Sequence, residues 1–213
     1  MKIEEFIDFL TQFKDTDKYE NIYLDEHKRD NLMIYLKEMK KQNPTILFVG
    51  EAPGYLGCGI TGVPFTDERV LAAKEYSYVP GKQLYYLSGA QKERSAKAMW
   101  DVLNIIASNE MILPLMWNSF PFHPHDQGNK LSNRAPNKEE RENIGIPCMQ
   151  KLLNLFDIKE VYAIGLQAFY SLSDMKLGSL FNQEKNVSYI RHPSYGGKRI
   201  CQEKIKSIFN ITN

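Results

Sequence analysis

Cysteine is scarce in this chain: its 213 residues hold three, Cys58, Cys148 and Cys201, far apart and without C-x-x-C spacing. An odd, scattered set argues against a disulfide framework and against a four-cysteine metal site, so reduced thiols and no metal or other cofactor are expected. Long apolar runs are lacking as well. None approaches the roughly 20 residues of a bilayer span, and the start Met1-Lys2-Ile3-Glu4-Glu5 is acidic where a secretory signal would be basic and then apolar. The expectation is a cytoplasmic protein with no membrane partner. Nor does charge of one sign dominate. With 27 basic and 26 acidic residues the net charge is +1, so any contact with a polyanion must come from a local basic face. There is no internal repeat and no low-complexity tract.

What is present suffices for a core. With 43% hydrophobic and 12% aromatic residues, residues 1–213 are expected to form a single domain, and a monomer is expected. The first 42 residues read as two packing helices, with Ile3, Phe6, Ile7, Leu10 and Phe13 at helical spacing, then Leu32, Ile34, Tyr35 and Leu36 in a lysine-rich stretch. Asn43-Pro44 breaks the pattern, and the apolar run 45–49 is expected to be a strand buried on both faces.

A loop with Gly50, Gly54, Gly57, Gly59 and Gly62 follows that strand. Next come an expected helix at 90–108, an apolar run at 111–120 interrupted by Pro114, and a polar, proline-rich loop at 121–136. A helix is expected at 137–156, kinked at Pro147, then strands at 161–164 and 187–191 and helices at 167–172 and 200–209. Alternating strands and helices predict an α/β fold, a three-layer α/β/α sandwich around a central, mostly parallel four-stranded sheet. Ligands of such sheets bind beyond the carboxyl ends of the strands.

Three motifs lie at such strand ends. The first is Gly50-Glu51-Ala52-Pro53-Gly54 with Gly62-Val63-Pro64-Phe65 soon after; here Gly50 permits a sharp exit from the strand and Pro53 stiffens the loop. The second is Asn118-Ser119-Phe120-Pro121-Phe122-His123-Pro124, followed by Asn133-Arg134-Ala135-Pro136. The third is His192-Pro193-Ser194.

In this order the motifs resemble the uracil-DNA glycosylase superfamily, and most closely its family 4, over about residues 45–200. The resemblance implies a monofunctional DNA base-excision enzyme of DNA repair that hydrolyses the N-glycosidic bond of uracil, or of a related deaminated base, flipped out of DNA. It implies that Glu51 positions or activates the attacking water and that His192 donates to uracil O2. Phe65 would stack on the base and Asn118 would read its Watson–Crick edge, with Gly50, Ala52, Pro53 and Ser194 completing the substrate site. Family 4 usually carries an iron–sulfur cluster held by four cysteines, and three unspaced cysteines predict its absence here. An acidic pair usual after the first motif is replaced by Tyr55-Leu56-Gly57-Cys58. At the position of Gly54 the best-known uracil enzymes carry an aromatic residue. The bulky wedge that follows the histidine motif in relatives is replaced by Tyr195-Gly196-Gly197, which leaves Tyr195 to intercalate.

Plainer readings exist for each residue. Glu51 alone would read as a helix cap or a solvated charge, His192 alone as a structural histidine, and Phe65 stays open between core and stacking roles. His123, His125 and Asp126 crowd one loop and are expected at the surface rather than on a metal. Lys198, Arg199, Lys204 and Lys206 follow the histidine loop and are expected to meet DNA phosphates rather than form an idle solvated face. Two rival functions are a DNA-binding protein of the same fold without catalysis and a small-molecule enzyme with a phosphate-cradling loop. The second lacks the P-loop lysine and the dinucleotide-binding glycine spacing.

Overall fold

The structure is a computed structural model describing residues 1–73, 91–174 and 187–211. Helix α1 (Ile3–Thr11) buries Ile3, Phe6, Ile7 and Leu10 along one stripe. A two-residue strand β1 (Tyr19–Glu20) and a 3-10 turn (Ile22–Leu24) lead to α2 (Glu26–Gln42). Asp25 caps α2 by accepting from the Lys28 amide, and Asn43 ends it in the left-handed region at φ 53°, just before Pro44.

Strand β2 (Ile46–Gly50) is followed by two short helices, α3 (Cys58–Thr61), within the stretch whose glycines suggest loop alone, and α4 (Glu68–Ala72) beyond it. Then come α5 (Arg94–Ser108), β3 (Leu115–Asn118), β4 (His123–Pro124), α6 (Lys138–Glu140), a π turn (Arg141–Gly145) and α7 (Ile146–Leu153). The chain continues through β5 (Glu160–Ile164), α8 (Leu166–Asp174), β6 (Ser188–Ile190) and α9 (Lys198–Ile208). Ala90, the expected start of α5, lies outside the described residues.

The main sheet has the order β3-β2-β5-β6 with every pairing parallel. Phe48 pairs with Met116 and Val49 with Trp117, so Phe48 and Trp117 are out of phase and project to opposite faces. Trp117 packs on Phe6 of α1 with ring centroids 5.5 Å apart, while Phe48 meets Phe209, just past α9, at 6.5 Å. Helices therefore cover both faces, the three layers expected. Strand β3 is an edge, and α2 closes it: the Tyr35 hydroxyl accepts from the Met116 amide at 2.8 Å and donates to its carbonyl at 3.3 Å. No described helix is long and apolar enough to cross a membrane.

One expectation needs correction. Residues 121–125 are not part of a surface loop, because β4 pairs antiparallel with β1 and takes His123 and the following His125 inside, 2% and 1% exposed, whereas Asp126 and the residues up to Ala135 do lie at the surface as expected. Stacking of Phe122 on Tyr19, 5.7 Å between centroids, draws these residues inward, and the His123 ring nitrogens lie 2.9 and 3.1 Å from the carbonyls of Pro53 and Lys130, one of which accepts the ring N–H. The helix expected at 137–156, kinked at Pro147, is present as an unbroken helical path over residues 138–153 whose irregularity is a π turn just before the proline. Proline 147 has no N–H to give, and the turn before it widens so that the Ile146 amide reaches back five residues to the Arg141 carbonyl.

Candidate active site

The carboxyl ends of the strands open onto one cavity of about 390 Å³. Glu51 and Ala52 follow β2, Asn118 ends β3, Gly165 follows β5 and His192 follows β6, and all of them line it. Parallel pairing sets Gly50 beside Asn118. A Cβ on Gly50 would lie 2.6 Å from Asn118 Oδ1 and 2.8 Å from Cζ of Phe65, so the bare backbone is what lets amide and ring approach. Asn118 is 6% exposed, and its Nδ2 has Cys58 Sγ at 3.9 Å.

Phe65 occupies the left-handed region at φ 56°, a conformation that costs a side-chain-bearing residue about 1–2 kcal/mol. Its surroundings hold it there: the Trp100 indole N–H donates to the Phe65 carbonyl at 3.1 Å. Strain that is held in place by neighbours is common at ligand-binding positions.

Glu51 is anchored through its own backbone, whose carbonyl accepts from Ser119 Oγ at 2.8 Å and from the Phe120 amide at 3.0 Å. Burial pushes its carboxyl up to about 6, and the Arg141 guanidinium acts in the opposite direction. The widened turn of Arg141–Gly145 thus carries the positive charge that opposes the effect of burial on this carboxylate. The loop carrying Glu51 is buttressed by the second motif, since Asn133 Oδ1 accepts from the Tyr55 amide at 3.2 Å. Arg134 holds that motif down, donating to Glu140 at 2.7 Å, the His125 carbonyl at 2.9 Å and the Lys18 carbonyl at 2.7 Å.

His192 lies against Gly165, whose Cβ at φ +100° would stand 3.2 Å from the histidine Cβ. The Ser194 amide points at His192 Nδ1 from 3.2 Å, and the Ser194 hydroxyl lies 2.6 Å from the same nitrogen. A backbone N–H can only donate, so Nδ1 is the acceptor and the ring proton sits on Nε2. Burial, and secondarily the Arg191 charge, lower the histidine's affinity for a second proton. The site therefore offers a neutral imidazole donor.

Ser194 and Tyr195 also line the cavity. Tyr195 stands at its rim, 95% exposed and at φ 50°. Pro53, Lys198 and Arg199 do not line it: Pro53 is buried with its carbonyl toward His123, Lys198 pairs with Asp101 at 2.7 Å, and Arg199 faces Glu203 at 3.7 Å. Sequence reasoning missed Cys58, Glu93, Ser95, Arg191 and the Gly165–Ala168 wall. Gly165 directly follows a strand, a signal of the kind that singled out Gly50, whereas Glu93 belongs to no motif. A carboxylate, an amide, a neutral imidazole and an aromatic ring around one cavity can hold a planar heterocycle by its edge and face and stabilise opposite charges on its two sides.

The family model for the uracil DNA glycosylase superfamily matches residues 36–204. Among solved structures, wild-type SMUG2 of Pedobacter heparinus superposes with a TM-score of 0.71 over 97% of this chain and 96% of its own, at 20% identity. No curated protein matches the chain.

Proposed function

Because this chain belongs to the uracil DNA glycosylase superfamily, we propose that it is a monofunctional DNA glycosylase that releases uracil, or a related deaminated base, from DNA. The observation that carries this reading is the convergence of Glu51, Asn118 and His192, from three separate strand ends, on one cavity beside Phe65.

The chemistry follows from the groups. As the bond between C1′ and the base nitrogen breaks, its electron pair leaves with the base and positive charge grows on the sugar. Nε2–H of His192 donates to the O2 on which negative charge collects, and the Glu51 carboxylate faces the sugar side. Water adds to C1′, and its proton passes to Glu51. Asn118 accepts from uracil N3–H through Oδ1 and donates to O4 through Nδ2, a pairing in which cytosine would meet like with like. Phe65 stacks on the base. No lysine is among the described lining residues, which supports water rather than a Schiff base as the nucleophile.

The motif order favours a family 4 relationship without the iron–sulfur cluster. Cys58 faces Asn118 and Cys201 touches Met99 Sδ at 3.9 Å, and no three potential ligands gather among the described residues, so the cysteines do not fit a cluster. Tyr195 supports the reading as the side chain that enters the base stack, with Arg191, Lys198 and Arg199 near the strand's phosphates. The protein would act as a cytoplasmic, single-domain monomer.

Purified protein incubated with uracil-containing oligonucleotides, single-stranded and as U·G and U·A duplexes, should yield alkali-labile abasic sites. Binding without any abasic product, and binding indifferent to Glu51→Gln, would replace this reading with a non-catalytic DNA-binding protein.

A further inference from the structure

Asn118 orients a bound pyrimidine. Its Oδ1 is turned toward Gly50 and its Nδ2 toward Cys58 Sγ, 3.9 Å away. With Nδ2 donating to uracil O4, the O4 side of the ring faces Cys58, and the next ring atom is C5, which carries hydrogen in uracil and methyl in thymine. The cavity wall continues from Cys58 to Glu93, which reaches it from the residue preceding α5.

The Glu93 carboxyl occupies space that two glycines leave open. Its Oε2 lies 1.6 Å from where a Gly57 Cβ would stand, and its Oε1 lies 4.0 Å from that of Gly54. It is also fixed in place. Ser95 Oγ donates to Oε1, the Glu93 amide donates to the fully buried Asp67 at 2.7 Å, and Arg69 donates to the Glu93 carbonyl at 3.3 Å. Burial, with help from nearby Asp67, raises this carboxyl above the usual range despite the Ser95 bond, which suits a group enclosed beside a nucleobase rather than one solvated at a rim.

From this placement, and resting on the glycosylase reading above, we propose that Glu93 is the residue that excludes thymine, its carboxyl closing the cavity where a pyrimidine 5-methyl group would lie. A methyl there must displace an anchored polar group or press against it, and one such group in a pocket is worth about 10- to 200-fold in selectivity. The carboxyl acts by filling space, so a carboxamide of the same shape should serve as well.

The test compares single-turnover rates of the full-length protein on U·G and T·G duplexes. Wild type should strongly favour uracil. Glu93→Ala should lower the uracil-to-thymine ratio by about 10- to 200-fold, and Glu93→Gln should keep it within a few-fold of wild type. An unchanged ratio in a folded Glu93→Ala protein, or equal losses in the alanine and glutamine variants, overturns the proposal. Should Glu93→Ala not fold, Glu93→Asp, which withdraws the carboxyl by one methylene, must lower the ratio in part. Wild-type protein that releases thymine as fast as uracil also overturns the proposal. Wild type that releases neither base defeats the functional reading itself and this assignment with it, whereas uracil release with an insensitive ratio defeats this assignment alone.

Discussion

The hydroxyl of Ser194 lies 2.6 Å from Nδ1 of His192, beside an amide that approaches the same nitrogen from 3.2 Å. Ser194 alone thus sets which histidine nitrogen holds the proton, and it leaves Nε2–H aimed away from itself. Ser194→Ala keeps the amide and loses the hydroxyl. One such bond is worth about 0.5–1.5 kcal/mol, so kcat should fall about 2- to 10-fold with KM little changed. His192→Ala, which removes the donor, should cost about 10²–10³ in kcat. Single-turnover kinetics on a uracil duplex separates the two, and equal losses would refute the supporting role of Ser194.

Glu51 carries a pH prediction. With its carboxyl pushed up to about 6 by burial, the base form is lost as pH falls through that value, so the rate should decline on the acid side there. Arg141→Gln removes the opposing charge and should move this limb to higher pH. Stability runs the other way. The folded-state value lies above the ordinary 4.5, so the buried carboxylate destabilises the protein above about 6 and has no such effect below 4.5. Glu51→Gln should therefore raise Tm near neutrality, with the gain vanishing in acid, as thermal denaturation across pH would show.

Gly50→Ala would place a Cβ 2.6 Å from Asn118 Oδ1 and 2.8 Å from the Phe65 ring. Overpacking of this kind costs about 1–3 kcal/mol, and both neighbours that must yield belong to the site. Base binding should suffer more than folding, and parallel measurement of Tm and uracil-DNA affinity checks this. A variant with normal affinity would show that the Asn118–Phe65 approach is unimportant.

Phe65 separates stacking from strain. Loss of the ring should weaken binding by about 1–3 kcal/mol in Phe65→Ala and Phe65→Gly alike. At φ 56° glycine is free of the penalty that alanine keeps, so Phe65→Gly should be the more stable of the two by about 1 kcal/mol. Denaturant unfolding gives the comparison, and the reverse order would mean that the loop relaxes once the ring is gone.

Arg134 binds Glu140, the His125 carbonyl and the Lys18 carbonyl together. Glu140 is 7% exposed, so Arg134→Ala strands a buried carboxylate and should cost about 3–5 kcal/mol of stability. Chemical denaturation tests this. A loss under about 1 kcal/mol would place the interaction with ordinary surface pairs.

Much of this molecule is local in origin. The run before Gly50 is apolar enough to be buried on both faces, and Asn43-Pro44 ends α2 whatever surrounds it, so strand, stop and the exit at Gly50 can be read from neighbours in the chain. The same holds for Asn118, at the end of an apolar run, and for His192, just past a short strand with β-branched and aromatic residues. Other features depend on partners distant in sequence. His123 and His125 read as surface residues because nothing nearby announces that Tyr19 and Glu20 will pair with their strand. The widened turn at Arg141–Gly145 follows from Pro147, but that its arginine charge acts on Glu51 follows only from packing.

By itself the sequence determined the alternation of strands and helices and placed a carboxylate, an amide and an imidazole at strand ends, because hydrophobic periodicity and turn chemistry act over a few residues. The tertiary structure alone decided that β2 lies between β3 and β5, which puts Gly50 against Asn118. It also turned Glu93 inward across Gly57. Those placements depend on which surfaces exclude water together, and that is a property of the assembled chain.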